Sequence, residues 1–324
     1  GGIVRLTGFI IKVTVFCELL GAVVMAPSFC REMGLEKGLW CALFHSISAF
    51  CNAGFDLMGV REPYSSLTYF AGDPAVNVAV MALIVMGGIG FMTWDDIKTH
   101  RLCIRRYRMQ SKVILAATMV LILLPALYFF FFEFSHMPLG SRILASLFQS
   151  VTPRTAGFNT VDLTQMSENG TAVMILLMIV GGSPGSTAGG MKTTTFAVLL
   201  VTSVSVFRHR EDINLFGRRV DEGTVRSAVA VLIMYLVLFL GGGLVISRME
   251  GLPLLACVYE SASAVATVGL TLGITPKLSL ASRGILMMLM YIGRVGGLTL
   301  ILAASSGAKQ GAIARLPQEK LAVG

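Results

Sequence analysis

A short apolar segment that runs into a polar–small–Gly–apolar turn occurs three times in this chain. Phe44-His45-Ser46 leads to Asn52-Ala53-Gly54-Phe55, Phe148-Gln149-Ser150 to Thr155-Ala156-Gly157-Phe158, and Tyr259-Glu260-Ser261 to Thr267-Val268-Gly269-Leu270. Each copy reads aromatic, polar, Ser, and then seven or eight residues to the glycine, and the glycines lie 103 and 112 residues apart. Self-similarity at a fixed interval means that one supersecondary unit is repeated, and the fold must be built from that unit. Each copy is too short to cross a bilayer, which takes about 20 predominantly apolar residues.

Runs of that length flank the copies. Only 14% of the 324 residues are charged, against about 25% in soluble globular chains, and the mean hydropathy is +0.76. A soluble enzyme is excluded, and a polytopic membrane protein is expected. The net charge of +8 does not imply a nucleic-acid partner, because the basic residues cluster between apolar spans, as cytoplasmic loops facing anionic lipid do. None of the six cysteines falls in a CxxC or His/Cys ligand spacing, so they read as small buried hydrophobes and no transition-metal site is expected.

Taken in order, residues 1–98 form a first unit, with spans at about 8–29 and 75–94 around a short helix at 39–50. Residues 99–112 are a basic cytoplasmic loop. Residues 113–207 form a second unit, with an uncharged span at 113–132 that Pro125 is expected to kink and a short helix and turn at 142–160. Its second span is broken between 171–180 and 196–207. Residues 208–226 are a second cytoplasmic loop. Residues 227–306 form a third unit, with spans at 227–247 and 284–304 around a short helix and turn at 254–271, and 307–324 are a cytoplasmic tail. The basic segments fall between or after units, so each unit enters and leaves on the cytoplasmic side and its Gly turn dips in from outside. The opening Gly1-Gly2-Ile3-Val4-Arg5 reads as the interior of a longer chain. The expected fold is an all-α polytopic membrane protein of repeated span–pore-helix–filter-loop–span units around a central pore.

Non-helical backbone at membrane depth survives only where protein buries it or it lines a water-filled path. A single Gly turn could be a helix end packed in a bundle, but three equivalent turns point to a shared path. Glycine permits positive φ, carbonyl oxygens from several turns can replace the hydration shell of a monovalent cation, and each short helix aims its partly negative C-terminus at the same place.

The residues of these turns carry a resemblance. Thr267-Val268-Gly269 resembles the start of the potassium-channel filter. Asn52-Ala53-Gly54-Phe55 and Thr155-Ala156-Gly157-Phe158 look like the filters of the Trk/Ktr/HKT potassium transporters. The stretches 49–55, 152–159 and 292–296 are similar to KtrB, the membrane subunit of bacterial Ktr systems. That resemblance runs from Gly1 to the tail. It implies a potassium uptake subunit of the bacterial cell membrane with K+ at the filter carbonyls, modulation by sodium, no covalently bound cofactor, a homodimer, and docking on a cytosolic KtrA-type nucleotide-binding ring. The family has four units. Three are legible here as its repeats 2, 3 and 4, so the resemblance implies that the first repeat is not in this sequence and that the chain should not conduct alone.

The resemblance also assigns a gate. The break Gly182, Ser183, Gly185, Ser186, Thr187, Gly189, Gly190 and Lys192 corresponds to a gating loop beneath the filter. Arg294, an ionisable residue within a span and therefore expected to face a cavity or a partner, corresponds to a positive charge beside that gate. His45, Gln149 and Glu260 hold one place in the three short helices and are expected to pin the turns. Alternatives are a TrkH-type subunit, an intramembrane serine protease using Ser186 with Lys192 as base, and a membrane scaffold.

Overall fold

The computed structural model describes residues 2–60, 63–101, 103–210 and 212–296, with side chains from residue 4. In the first unit, α1 (Gly2–Met33) is followed by the short helix α2 (Leu35–Phe50), by α3 (Pro74–Gly88) and by α4 (Phe91–His100). The second contains α5 (Met109–Tyr128), which passes into a π turn at Phe129–Glu133 four residues after Pro125, then the short helix α6 (Leu139–Val151), α7 (Glu168–Ile179) and α8 (Thr193–Phe207). A two-residue β-ribbon, β1 (Asn214–Leu215) with β2 (Arg218–Arg219), closes the basic loop. The third unit contains α9 (Glu222–Glu250), the short helix α10 (Leu254–Val265) and α11 (Leu280–Val295). The expected end of the last span, 297–306, and the tail 307–324 lie outside the described residues.

Among the described residues, three helices are long and apolar enough to cross a membrane unaided: Val4–Met33, Met109–Glu133 and Glu222–Glu250. They are the first spans of the three units. The second spans differ. The run 75–94, which reads as one span, bends by 94° between α3 and α4, at Gly90 with φ 87° and ψ 140°. Beyond the bend, Trp94 Nε1 donates to the Met86 carbonyl (3.0 Å). Buried Asp96 accepts from Ser111 Oγ (2.6 Å) and the Arg108 backbone N–H (3.0 Å). An aspartate buried in this way holds α4 against the start of α5 instead of letting the span continue. α11 also stops before a glycine of the same hand, Gly296 at φ 86° and ψ 133°, and α7 stops before Gly181.

The starts of the second spans are capped. Asp73 accepts from Ala75 and Val76 N–H with Pro74 in the first turn, Ser167 from Gly170 N–H, and Ser279 from Ser282 N–H. These caps satisfy donors that a helix leaves free. Glutamates at the ends of the preceding first spans reinforce two of them. Glu133 accepts from Ser167 N and Oγ (both 2.7 Å), and Glu250 from Ser279 N (3.1 Å), Ser279 Oγ (2.5 Å) and Ser282 Oγ (2.5 Å).

Within a unit the short helix packs on its first span through small residues. A Cβ on Gly21 of α1 would press on Ser46 Oγ, and one on Gly242 of α9 would come within 3.2 Å of Ser261 Oγ. The serine of the repeated pattern is thus a close-approach residue, as small residues are between helices in lipid. Between units, α3 packs on α6 and α7 on α10, so each second span supports the next unit's short helix. This chaining bends the three units into an arc with the Gly turns on its inner side.

Candidate functional site: the three turns and the loop beneath them

α2 and α10 end alike. Asn52 N–H bonds the Ala49 carbonyl (3.2 Å) and Ala53 N–H the Ser48 carbonyl (2.9 Å), while Thr267 N–H bonds Ala264 O (3.1 Å) and Val268 N–H bonds Ser263 O (2.9 Å). These are the paired bonds of a Schellman stop, with a left-handed residue just past the helix. Asn52 and Thr267 occupy that position at φ 49° and 57°. α6 ends differently because Pro153 has no N–H to give. Arg154 N–H returns to Val151 O (3.1 Å) and Ala156 N–H to Thr152 O (3.0 Å). Thr155 still reaches φ 64°.

Two residues further on, Gly54, Gly157 and Gly269 have φ of 71°, 85° and 89°. All three turns therefore alternate between left-handed and ordinary backbone, which swings successive peptide carbonyls toward one side. The turns also face one another in order. A Cβ on Gly54 would overlap the carbonyl oxygen of Ala156, one on Gly157 would overlap that of Val268, and one on Gly269 would meet nothing within 4 Å. Asn52, Ala53, Gly54 and Phe55 thus abut Thr155, Ala156, Gly157 and Phe158, which abut Thr267, Val268, Gly269 and Leu270. A cavity of about 880 Å³ lies on the open side of the arc, lined by Ala53 and Phe55 on one wall and Thr267–Thr271 on the other, and it reaches Arg294.

The polar residues of the short helices are buried. His45 Nε2 accepts from Leu57 N–H (3.3 Å) while its Nδ1 faces the Cys41 carbonyl (2.7 Å). Glu260 accepts from Leu272 N–H (2.9 Å), Thr271 Oγ1 (2.6 Å) and Thr275 Oγ1 (2.5 Å). Leu57 and Leu272 each stand three residues past the glycine, so the two clasps are equivalent. Gln149 makes only sulfur contacts, to Met174 (3.3 Å) and Met166 (3.8 Å), and its Oε1 has no partner. Beyond the turns stand Asp56, which accepts from Met58 N–H (2.8 Å), and Asp162. Thr164 holds the Asp162 carboxyl below the usual carboxylate range by donating both its hydroxyl and its N–H.

The loop between α7 and α8 lies against the turns on the side where the second spans continue toward the basic segments. Val180 and Met191 pair its ends as a parallel bridge. Gly182 N–H meets Gly189 O (3.4 Å), Ser183 N–H bonds Gly88 O (2.9 Å), Phe91 N–H bonds Gly185 O (3.0 Å), and Thr187 N–H bonds Gly87 O (3.3 Å). Gly189 and Gly190 lie against Thr267 and the Ala266 carbonyl, where any Cβ would crowd. Lys192 Nζ donates to Ala188 O (2.9 Å) and Arg294 Nη1 to Thr187 O (3.2 Å). Every residue of the expected gate is thus gathered here. A second cavity of about 600 Å³ opens beneath the loop, lined by Lys192, Arg294 and Tyr235 among others. Ser186 Oγ donates to Ser183 O (2.6 Å). With Lys192 on a different carbonyl, no Ser186–Lys192 pair exists, and the protease alternative has no geometric support.

Sequence pattern alone gives no hint of Arg154, which is buried with Nη2 on Thr118 Oγ1 (3.2 Å) and Nε unpaired, nor of the side-chain link between Asn52 and Thr187. The span-end glutamates Glu133 and Glu250 had a signal: each precedes, by some thirty residues, a serine that opens the next apolar run.

Comparison with known proteins returns a consistent set. The family model described as TrkH, cation transport protein, matches residues 1–316. The chain is 36% identical to the potassium/sodium uptake protein NtpJ of Enterococcus hirae, over 100% of this chain and 72% of that protein. It is 35% identical to the Ktr system potassium uptake protein B of Bacillus subtilis, over 94% of this chain and 68% of that protein. The crystal structure of the potassium transporter TrkH from Vibrio parahaemolyticus superposes with a TM-score of 0.74 at 19% identity, covering 93% of this chain and 64% of that one. The likeness in structure is one of fold.

Proposed function

The chain belongs to the TrkH family of cation transport proteins, multi-pass proteins of the cell membrane and not enzymes, and from that premise we propose that it forms the ion path of a potassium uptake system. The observation that carries this reading is the turn geometry. Three turns repeat the same alternation of backbone hand and abut one another in order, the first and third lining one cavity. Carbonyls so presented can exchange for the water around a potassium ion. The fixed carboxylates Asp56 and Asp162 favour cations at the outer mouth, and the short-helix C-termini favour them at the turns.

In this reading the loop 180–192 with Arg294 is the gate. Its backbone bonds to Gly87, Gly88 and Phe91 hold it across the path, and the Arg294 guanidinium places a positive charge beside it. Sodium modulation, a homodimer and a cytosolic nucleotide-binding regulator are proposed from the resemblance to Ktr proteins. The arc closes when a fourth turn of the same kind, whichever chain carries it, stands beside Gly269. The test is uptake by a potassium-uptake-deficient cell at low external potassium. The full protein is expected to rescue growth, and Arg294→Ala to raise cation flux. A protein that is inserted in the membrane but gives no rescue overturns the reading, and unchanged flux in Arg294→Ala overturns the gate assignment.

A further inference from the structure

Of the three residues that begin the turns, only Asn52 has its side chain hydrogen-bonded to the loop beneath, whereas Thr267 packs on the loop's Gly189 without a hydrogen bond. Thr155 and Thr267 hold the same position with buried Oγ1 atoms that have no partner. Asn52 Oδ1 lies 2.9 Å from Thr187 Oγ1, which also lies 3.0 Å from the Phe50 carbonyl at the end of α2. The other end of the same amide, Asn52 Nδ2, donates to the Arg154 carbonyl in turn 2 (3.3 Å). Thr187 in turn is held by the Gly87 carbonyl through its N–H and by Arg294 through its own carbonyl. One amide therefore joins turn 1, turn 2 and the loop, and Arg294 acts on the residue that grips it.

We propose that Thr187 and Asn52 form a strut that ties the position of the loop 180–192 to the alignment of turns 1 and 2, which makes Asn52 a positioning residue for cation preference. This rests on the transport reading above. With the loop in place, the Thr187 hydroxyl shares its one proton between Asn52 Oδ1 and the Phe50 carbonyl, and the Asn52 amide holds the Arg154 carbonyl. When the loop moves aside, the hydroxyl leaves, Oδ1 is freed toward the ion path beside the Thr155 and Thr267 hydroxyls, and the pull on Arg154 O relaxes. Loop position and cation occupancy are then linked, and the link acts equally in both directions. A Thr187 hydroxyl that merely filled space would give no such link.

The test is potassium and sodium uptake by the full protein in its transport system, reconstituted in proteoliposomes. Thr187→Val keeps the shape and removes the hydroxyl. It is expected to raise the sodium-to-potassium uptake ratio by about fivefold, at the low end of typical coupling between sites, and Thr187→Ser is expected to bring the ratio back. Arg294→Ala, which loosens the same loop, is expected to shift the ratio in the parent but not in an Asn52→Leu background, because the strut is already gone. A Thr187→Val protein with an altered maximal rate and an unaltered ratio overturns the strut. So do Arg294→Ala and Asn52→Leu effects that simply add, since independent sites add. A parent that takes up neither ion overturns the transport reading itself, whereas a selective parent with an unshifted Thr187→Val ratio overturns the strut alone.

Discussion

Turns 1 and 3 and turn 2 reach the same backbone geometry by different means, and the difference follows from where each stands in the arc. Turn 2 lies between the other two and is covered on both sides. The apolar residue after its glycine, Phe158, is fully buried, and Leu270 of turn 3 nearly so at 3% exposure, while Phe55 of turn 1 is 71% exposed. Turn 2 is stitched to the first unit by Ser66 Oγ on Asn159 N–H, by Leu67 N–H on Asn159 O, and by Asn52 on Arg154 O. Among the described residues, turns 1 and 3 each abut another turn on one side. In these two the short helix supplies a Schellman stop and a side-chain clasp, His45 or Glu260, on the segment after the glycine. Turn 2 has a local tie of another kind, Thr152 Oγ1 at the end of α6 donating to the Phe158 carbonyl (2.5 Å), whereas turns 1 and 3 are clasped from the middle of the short helix.

The sharpest way to break this contrast is at the glycines. Gly157→Ala must place a methyl on the Val268 carbonyl oxygen and also hold an L-residue at φ 85°. It is expected to abolish selective uptake, because turns 2 and 3 must move apart. Gly269→Ala meets no described atom within 4 Å, so any loss of selective uptake beyond the strain of about 1–2 kcal/mol for a left-handed L-residue reads how closely the fourth turn approaches it. Equal losses in the two variants, measured as potassium uptake at matched membrane expression, would mean that the fourth turn crowds Gly269 as Val268 crowds Gly157, and a smaller loss in Gly269→Ala that it does not.

Next come the clasps. Glu260→Ala leaves Leu272 N–H and two threonine hydroxyls without their acceptor, and a buried group left unpaired costs about 1–3 kcal/mol. A loosened turn 3 and a loss of potassium-over-sodium preference are expected. His45→Ala takes one acceptor from the segment after the glycine, Leu57 N–H, besides the Cys41 contact and the buried ring stacked on Phe29, so its effect on the ion preference is expected in the same direction and smaller. The ratio of potassium to sodium uptake, compared across both variants, checks the order. If His45→Ala did more damage than Glu260→Ala, the clasp of turn 3 would be the weaker of the two.

Much of this architecture is legible in the sequence because it repeats. The aromatic–polar–Ser–Gly pattern and the basic segments between apolar runs locate the short helices, the turns and the three units from one end of the chain to the other. What the pattern hides are features that depend on distant partners. The run 75–94 carries no charge, so only the glycines at 87, 88 and 90 mark the 94° bend locally, and they do not tell a bend from a close helix contact. The bend is fixed by Asp96 reaching Ser111 and Arg108 across the basic loop. Thr187 and Asn52 stand 135 residues apart, and neither type nor spacing announces their contact. His45, Gln149 and Glu260 look equivalent by position. Only the fold reveals that Gln149, behind the covered turn, has methionine sulfurs where the other two have backbone N–H groups.

That non-equivalence gives the smallest effect and the finest test. Gln149 is fully buried, its Oε1 has no partner, and its Nε2 rests on two thioethers, which are weak acceptors. Replacing such an amide with an apolar side chain of similar size removes an unsatisfied polar group along with two weak contacts, and exchanges of this kind are close to neutral. Gln149→Leu is therefore expected to change the unfolding free energy of the detergent-solubilised full protein by less than about 1 kcal/mol, the net worth of an ordinary hydrogen bond, and to leave the potassium-to-sodium ratio nearer the parent's than either clasp variant does. A larger destabilisation accompanied by lost selectivity would mean that Gln149 holds turn 2 as His45 and Glu260 hold theirs, and the distinction between an enclosed turn and an edge turn would fall.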